Sequence, residues 1–222
     1  GSVPGTQFNW TNNNPSIGLA ASGTGDIASF TATNTTNAPV TATITVTPST
    51  GGSGGFAYIT GSGAGIPGGG GVSVINIATN TVVATIPTGL QPFFASVSPD
   101  GSRVYTSNFS SNTVSAINTA TNTVVATIPV GTGPSGAAGI TVSPDGSRVY
   151  VCNYLDNTVS VINTSTNTVV TTIPVGYNPH CIAVSPNGNL VYVSNSGSFY
   201  TGNISVINTS TNTVVTTIDF GL

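Results

Sequence analysis

The chain has 222 residues, enough for one sizeable domain or a domain plus a smaller piece, with ample length to bury a core. Only 3% of the residues are charged, against roughly 25% in an average soluble protein, and the cations are Arg103 and Arg148 alone. Two cations cannot neutralise a phosphate backbone, which excludes nucleic-acid binding, and no apolar run approaches the roughly 20 residues that would insert across a bilayer.

From the N-terminus, Phe8-Asn-Trp10, Ile17-Gly-Leu-Ala20 and Ile27-Ala-Ser-Phe-Thr-Ala32 read as short strands between Asn/Pro and Gly/Thr turns. They suggest about half of an immunoglobulin-like sandwich over residues 1–48, closed by Val40–Val46 as its last strand. The segment at about 39–48 reads equally well as the first strand of a repeat, because Ile44-Thr-Val-Thr-Pro48 matches Ile140-Thr-Val-Ser-Pro144.

The rest of the chain is repetitive. The phrase T-N-T-V-V-x-T-I begins at Thr79, Thr121, Thr166 and Thr211, at spacings of 42, 45 and 45 residues. In the third repeat, strand-like runs cover Ala138–Ser143, Arg148–Cys152, Thr158–Ile162 and Thr168–Ile173, all rich in Val, Ile, Thr and Tyr. Pro144-Asp145-Gly146, with its siblings Pro99-Asp100-Gly101 and Pro186-Asn187-Gly188, supplies hairpin chemistry between the first two runs. Four antiparallel strands per unit of this length make a β-propeller blade. The expected class is therefore all-β, with propeller-type repeats over 49–222 and blades at about 39–89, 90–131, 132–176 and 177–222. The first blade carries a longer turn at Ser49–Gly55 and an insertion at Gly61–Gly71, which lacks a phosphate-binding Lys.

Val149-Tyr-Val-Cys-Asn153, Asn157–Asn163, Thr166-Asn-Thr-Val-Val170, Ile173-Pro-Val-Gly176 and Val142-Ser-Pro-Asp-Gly146 resemble the YVTN-type β-propeller repeat of archaeal surface-layer and bacterial exported proteins. This resemblance covers roughly residues 56–222. Thr6–Thr11, Ile17–Ala21 and Phe30–Asn34 resemble a PKD-like module of bacterial cell-surface proteins, without its first strands. Propellers of the YVTN type usually close with more blades, often seven, so the resemblance implies a fragment or a unit completed by neighbouring chains. An open array would expose blade faces and strand edges that template pairing, whereas four blades that close would leave a monomer.

Candidate sites lie where repeats diverge. The loops Thr88–Phe94, Gly131–Ser135 and Gly176–Cys181 open on one rim, and Phe93, Phe94, Tyr177 and His180 would there form a ligand face suited to a sugar, or else plug the space between blades. His180, the single histidine, could act as a general base, but no acid or nucleophile accompanies it. No metal cluster or cofactor motif is expected. Cys152 and Cys181 invite a disulfide between adjacent blades, or are two small buried residues. Asp100 and Asp145 are expected to pair with Arg103 and Arg148 across their hairpins. Sequons occur at Asn9, Asn34, Asn108, Asn163, Asn203 and Asn208.

Nearly uncharged, hydroxyl-rich surfaces repel one another weakly, and two Arg offer little to a trypsin-like protease; both traits suit an extracellular or cell-surface protein. With no secretory signal and no initiating Met, the chain reads as a mature or internal piece of a longer exported protein, or begins with an expression scar at Gly1-Ser2. The expected function is structural or adhesive: self-assembly into a surface layer, sheath or filament, with no catalysis. Its partners would be other copies of itself, surface glycans or other cell-surface proteins. The alternatives are a glycan- or protein-binding module using the rim loops and, by analogy with lactonase-type propellers, an enzyme.

Overall fold

The computed structural model describes residues 6–24, 27, 31–36, 38–50, 55–61, 70–133, 139–197 and 202–220. Asp26, half of the strand expected at Ile27–Ala32 (residues 28–30), residues 51–54 and 62–69 of the two first-blade insertions, and Pro134 and Ser135 of the second rim loop lie outside the described residues. The chain divides into two compact units, Gly1–Gly54 and Gly55–Leu222.

In the first unit, β1 (Thr6–Asn12) pairs antiparallel with β2 (Ser22–Thr24) on one side and β3 (Ile44–Thr50) on the other. Trp10 and Leu19 are buried, and the buried Asn12 side-chain amide donates to the Leu19 carbonyl at 2.9 Å. The strand expected at Ile17–Ala20 is instead a 3-10 turn, Pro15–Ile17, ended by Gly18 at φ 94. Pro at the first turn and a left-handed Gly after it override the short apolar run. Strand β3 decides the double reading of residues 39–48: its seven residues pair with β1, not with the first blade.

The second unit is a row of antiparallel sheets. The first blade has three strands, β4 (Phe56–Gly61), β5 (Gly71–Asn76) and β6 (Thr81–Pro87). The second has β7 (Pro92–Val97), β8 (Arg103–Asn108), β9 (Thr113–Asn118) and β10 (Thr123–Pro129). The third has β11 (Ile140–Val142), β12 (Arg148–Asn153), β13 (Thr158–Asn163) and β14 (Thr168–Pro174). The fourth has β15 (Pro179–Val184), β16 (Leu190–Asn195), β17 (Asn203–Asn208) and β18 (Thr213–Asp219). These are propeller blades, three of them with all four strands. The first blade begins at Phe56, not near residue 39, and among the described residues it pairs no fourth strand.

The refrain T-N-T-V-V spans a turn and the start of each blade's last strand. Asn163 at the end of β13 accepts backbone N–H bonds from Ser165 and Thr166, and Asn76, Asn118 and Asn208 do the same in their blades. The Asn of the refrain then takes a left-handed conformation, with φ of 52, 52, 53 and 54 at Asn80, Asn122, Asn167 and Asn212. The second Val of the refrain (Val83, Val125, Val170, Val215) is skipped by the ladder, leaving a bulge in the last strand of every blade.

Blades pack in chain order: β4 against β7, β7 against β11, and β11 and β12 against β15. Each interface has its own core. Between the third and fourth blades, Tyr150, Cys152, Val159, Val161 and Ile173 meet Ile182, Val191, Val193 and Ile207. Each such Val or Ile contributes about 1.5–3 kcal/mol relative to exposure, so every blade depends on its neighbours. Among the described residues, no strands of the fourth and first blades pack in this way.

Candidate functional site

One rim of the row is built from the loops entering each blade and the loops between second and third strands. Phe93 and His180 occupy equivalent places at the start of β7 and β15, and each is skipped by the pairing with the neighbouring strand. A bulge re-aims a side chain without ending the strand. Phe93 thereby sits exposed with its ring edge-on to Phe109, at 5.5 Å and 80°. His180 is half-buried against Tyr154, at 4.7 Å and 60°. Tyr177 stands exposed, and its backbone carbonyl accepts from the Gly197 N–H. Phe94 separates from the others: half-buried, it packs into the core between the second and third blades. For Phe94 the inter-blade plug is the observed role. The structure therefore brings no two of the four expected side chains into a ring pair with each other.

Their observed partners, Phe109 and Tyr154, and the neighbouring exposed Leu155 are additions to the expected set. The sequence carries a signal for them, since an aromatic follows the strand-ending Asn in both Asn108-Phe109 and Asn153-Tyr154. These loops are tied down from beneath. Asn108, Asn153 and Asn195 are buried and donate to Ser115, Ser160 and Ser205, each at 2.9 Å. Gly131 and Gly176 press on Asn153 and Asn195, where a Cβ would lie 2.5 and 2.7 Å from the amide carbon. The close approach explains the Pro-Val-Gly ending of the repeat. The Asn108 amide is likewise held inside the protein as a donor to Ser115 and Thr113, so this sequon is not open to a glycan.

The rim offers aromatic and aliphatic surface with scattered amides. His180 faces a phenol ring, and among the described residues no group of three His, Cys, Asp or Glu gathers as a metal site.

Cys152 and Cys181 are both thiols, so the structure holds no bridge between them. Strand alternation is the reason. On β15, Ile182 takes the inward position in the core with Cys152, and its neighbour Cys181 is exposed. Burial, with a smaller contribution from Cys181, pushes the Cys152 thiol above its ordinary range.

The turns Pro99–Gly101 and Pro144–Gly146 border two clefts on adjacent blades. One, of about 320 Å³, is lined by Asp100, Arg103, Tyr105 and Asp145; the other, of about 520 Å³, by Asp145, Arg148, Tyr150 and Asn187. The expected Asp–Arg pairs are not formed. Asp100 instead accepts from the Ser98 hydroxyl at 2.6 Å and from Ser102 through backbone and hydroxyl, while Arg103 donates to the Ser102 carbonyl. The same bonds recur around Asp145 and Arg148. The serine hydroxyl bonds, then the backbone bonds, hold both carboxyls down at about 2. These carboxylates brace their own turns.

The ends of the row differ from its middle. Tyr150 is 2% exposed beneath the fourth blade, yet its counterpart Tyr192 is 38% exposed. Ile173 is 3% exposed and its counterpart Ile218 is 46%. At the other end, Ile59 is 53% exposed where Val151 and Val193 are at 0%.

A family model described as "Lactonase, 7-bladed beta-propeller" matches residues 118–217. Among solved structures, hydrazine synthase from Kuenenia stuttgartiensis is similar at 27% identity and a TM-score of 0.64, over 68% of this chain and 43% of that one. A functionally unknown protein from Desulfotomaculum acetoxidans DSM 771 is similar at 24% identity and a TM-score of 0.58, over 69% of this chain and 50% of that one. The chain thus spans half or less of each of these two proteins. No curated protein matches it. Strand order, blade packing and these likenesses together define a β-propeller.

Proposed function

We propose that this chain is a non-catalytic structural or adhesive protein of the cell exterior, which builds or decorates a surface layer, sheath or filament by self-association of propeller units. One observation carries the reading: only 3% of the residues are charged, so little repulsion opposes association of the hydroxyl-rich surfaces. The YVTN-like repeats and the PKD-like first unit point to the same location by resemblance. Sedimentation velocity and electron microscopy of the purified protein at rising concentration test it. Ordered rings or filaments are the expected result, and a single species of monomer mass throughout would overturn it.

Two other readings have their own tests. Exposed Phe93, Leu155 and Tyr177 share the loop rim and favour a docking surface for glycan or protein; a glycan array on which Phe93→Ala and Tyr177→Ala lose signal would support that. The lactonase description favours an enzyme, but fold alone does not carry activity. Hydrolysis of lactone substrates that disappears with His180→Ala would establish catalysis.

A further inference from the structure

We propose that the cleft between the third and fourth blades binds a hexuronate, a sugar ring carrying one carboxylate. The site is independent of the self-association reading and lies on the blade edge opposite the loop rim. The turns between first and second strands and between third and fourth strands share that edge. Ser143, Asp145, Arg148 and Tyr150 of the third blade and Asn187 and Thr209 of the fourth line about 520 Å³, within the roughly 300–1,000 Å³ of small-molecule sites. The same cleft recurs between the second and third blades, where a further blade stands on either side, so its opening owes nothing to an end of the row. Both cations of the chain are placed here, Arg103 and Arg148 holding the same position in the two clefts.

The larger cleft has donors to spare. Arg148 gives one N–H to the Ser147 carbonyl at 3.0 Å and pairs with no carboxylate among the described residues, which leaves most of its donors for a ligand. Tyr150 is only 2% exposed, yet among the described residues its hydroxyl enters no hydrogen bond. A nearly buried polar group without a partner is rare, and on a cleft wall it is poised to meet a ligand. Burial, against a smaller opposing pull from Arg148, raises the pKa of this phenol and keeps it a donor at neutral pH. The Asn187 oxygen accepts from the Ser185 hydroxyl and the Asn189 N–H, so its amide nitrogen is left for a ligand. Acceptors stand beside these donors. Asp145 is bonded once by Ser143 and twice by Ser147, which leaves one of its about four lone-pair sites. Thr209 donates to the Gly188 carbonyl at 2.8 Å, and its oxygen still accepts. Donors grouped about a guanidinium select a carboxylate, and the flanking acceptors select hydroxyls. One Arg against one Asp leaves the lining neutral, which favours a monoanion over a phosphate dianion. The sibling cleft sets Asp100 and Asp145 against Arg103, and its extra negative charge disfavours the same ligand.

Saturation-transfer NMR on the whole chain with methyl glucuronide as probe tests this, whether or not the chain assembles. The glucuronide is expected to bind saturably, and methyl glucoside and acetate each far more weakly. Arg148→Gln should weaken the glucuronide at least about tenfold, as loss of a charge-assisted hydrogen bond does, and Tyr150→Phe about threefold. Asn187→Asp should weaken it several-fold by making the cleft like its more negative sibling, and the Pro-Asp-Gly turns of the second and third blades show that Asp folds at this position. Arg103→Gln, in the sibling cleft, should change nothing. Melting temperatures near wild type would verify that the variants are folded. No binding of the glucuronide, glucoside bound as tightly, or glucuronide bound equally by wild type and by the Arg148 and Asn187 variants would each overturn the proposal. Acetate bound as tightly as the glucuronide would reduce the site to a bare anion contact and overturn the sugar.

Discussion

The third and fourth blades carry almost the same words, Val149-Tyr-Val151 against Val191-Tyr-Val193 and Thr166–Val170 against Thr211–Val215, and their strands have the same register. Yet Tyr150 and Ile173 are core residues while Tyr192 and Ile218 face out. Burial here is a property of having a neighbour, and the repeat sequence does not encode it. In a quasi-one-dimensional array stability comes from interfaces as much as from units, so identical substitutions in the two blades should have unequal costs.

The widest gap is expected from one pair of truncations. In dilute monomeric protein, Ile173→Ala should cost about 3 kcal/mol of unfolding free energy in urea titrations, as a cavity in a closed core does. Ile218→Ala should cost under about 0.5 kcal/mol. Equal costs would mean that the fourth-blade face is covered in solution. Gly176→Ala comes next, at about 1–3 kcal/mol, because its Cβ would collide with the buried Asn195 that anchors the loop. This tests whether rim rigidity matters as much at the end of the row as inside it, where Gly131→Ala is the control. Asn167→Ala should cost about 1 kcal/mol through its left-handed backbone, and Asn167→Gly should be neutral in the same denaturation assay. Asn212→Ala should match it, since this turn is local and needs no neighbouring blade.

The smallest effect is electrostatic. Asp145 is held at about 2 against an ordinary 3.8, so its contribution is complete above pH 4 and is lost as pH falls through 2. Acid titration of Asp145→Ala by circular dichroism should show a slightly flatter loss over that window than wild type. Asn187 stands in its place in the fourth blade and has no such titration to lose.

Legibility in the sequence divides along the same line of local against non-local cause. The hairpins are legible because each repeat must meet the same backbone demand, Asn at positive φ or Pro-Asp-Gly, by the same residues. Ile44–Thr50 is ambiguous as sequence, because apolar-Thr-apolar alternation fits the edge of either sheet and only pairing with Thr6–Asn12 selects one. The cysteines look like partners until strand parity places Ile182, rather than Cys181, beside Cys152. At the rim, divergence between repeats points to Phe93 and His180, but the bulges that aim them, and the partners Phe109 and Tyr154, depend on packing that no spacing reveals.

The skipped Val in the last strand of every blade has a further consequence. That strand is a sheet edge, with a row of unspent peptide groups that invites sideways growth into fibrils. Proteins commonly defend such edges with lysine, which this chain lacks altogether. Val83, Val125, Val170 and Val215 break the row of peptide groups at the same level in all four blades, so a shape in the backbone replaces the missing charge. A protein so weakly charged can in this way keep its outer edges inert by the shape of its backbone alone.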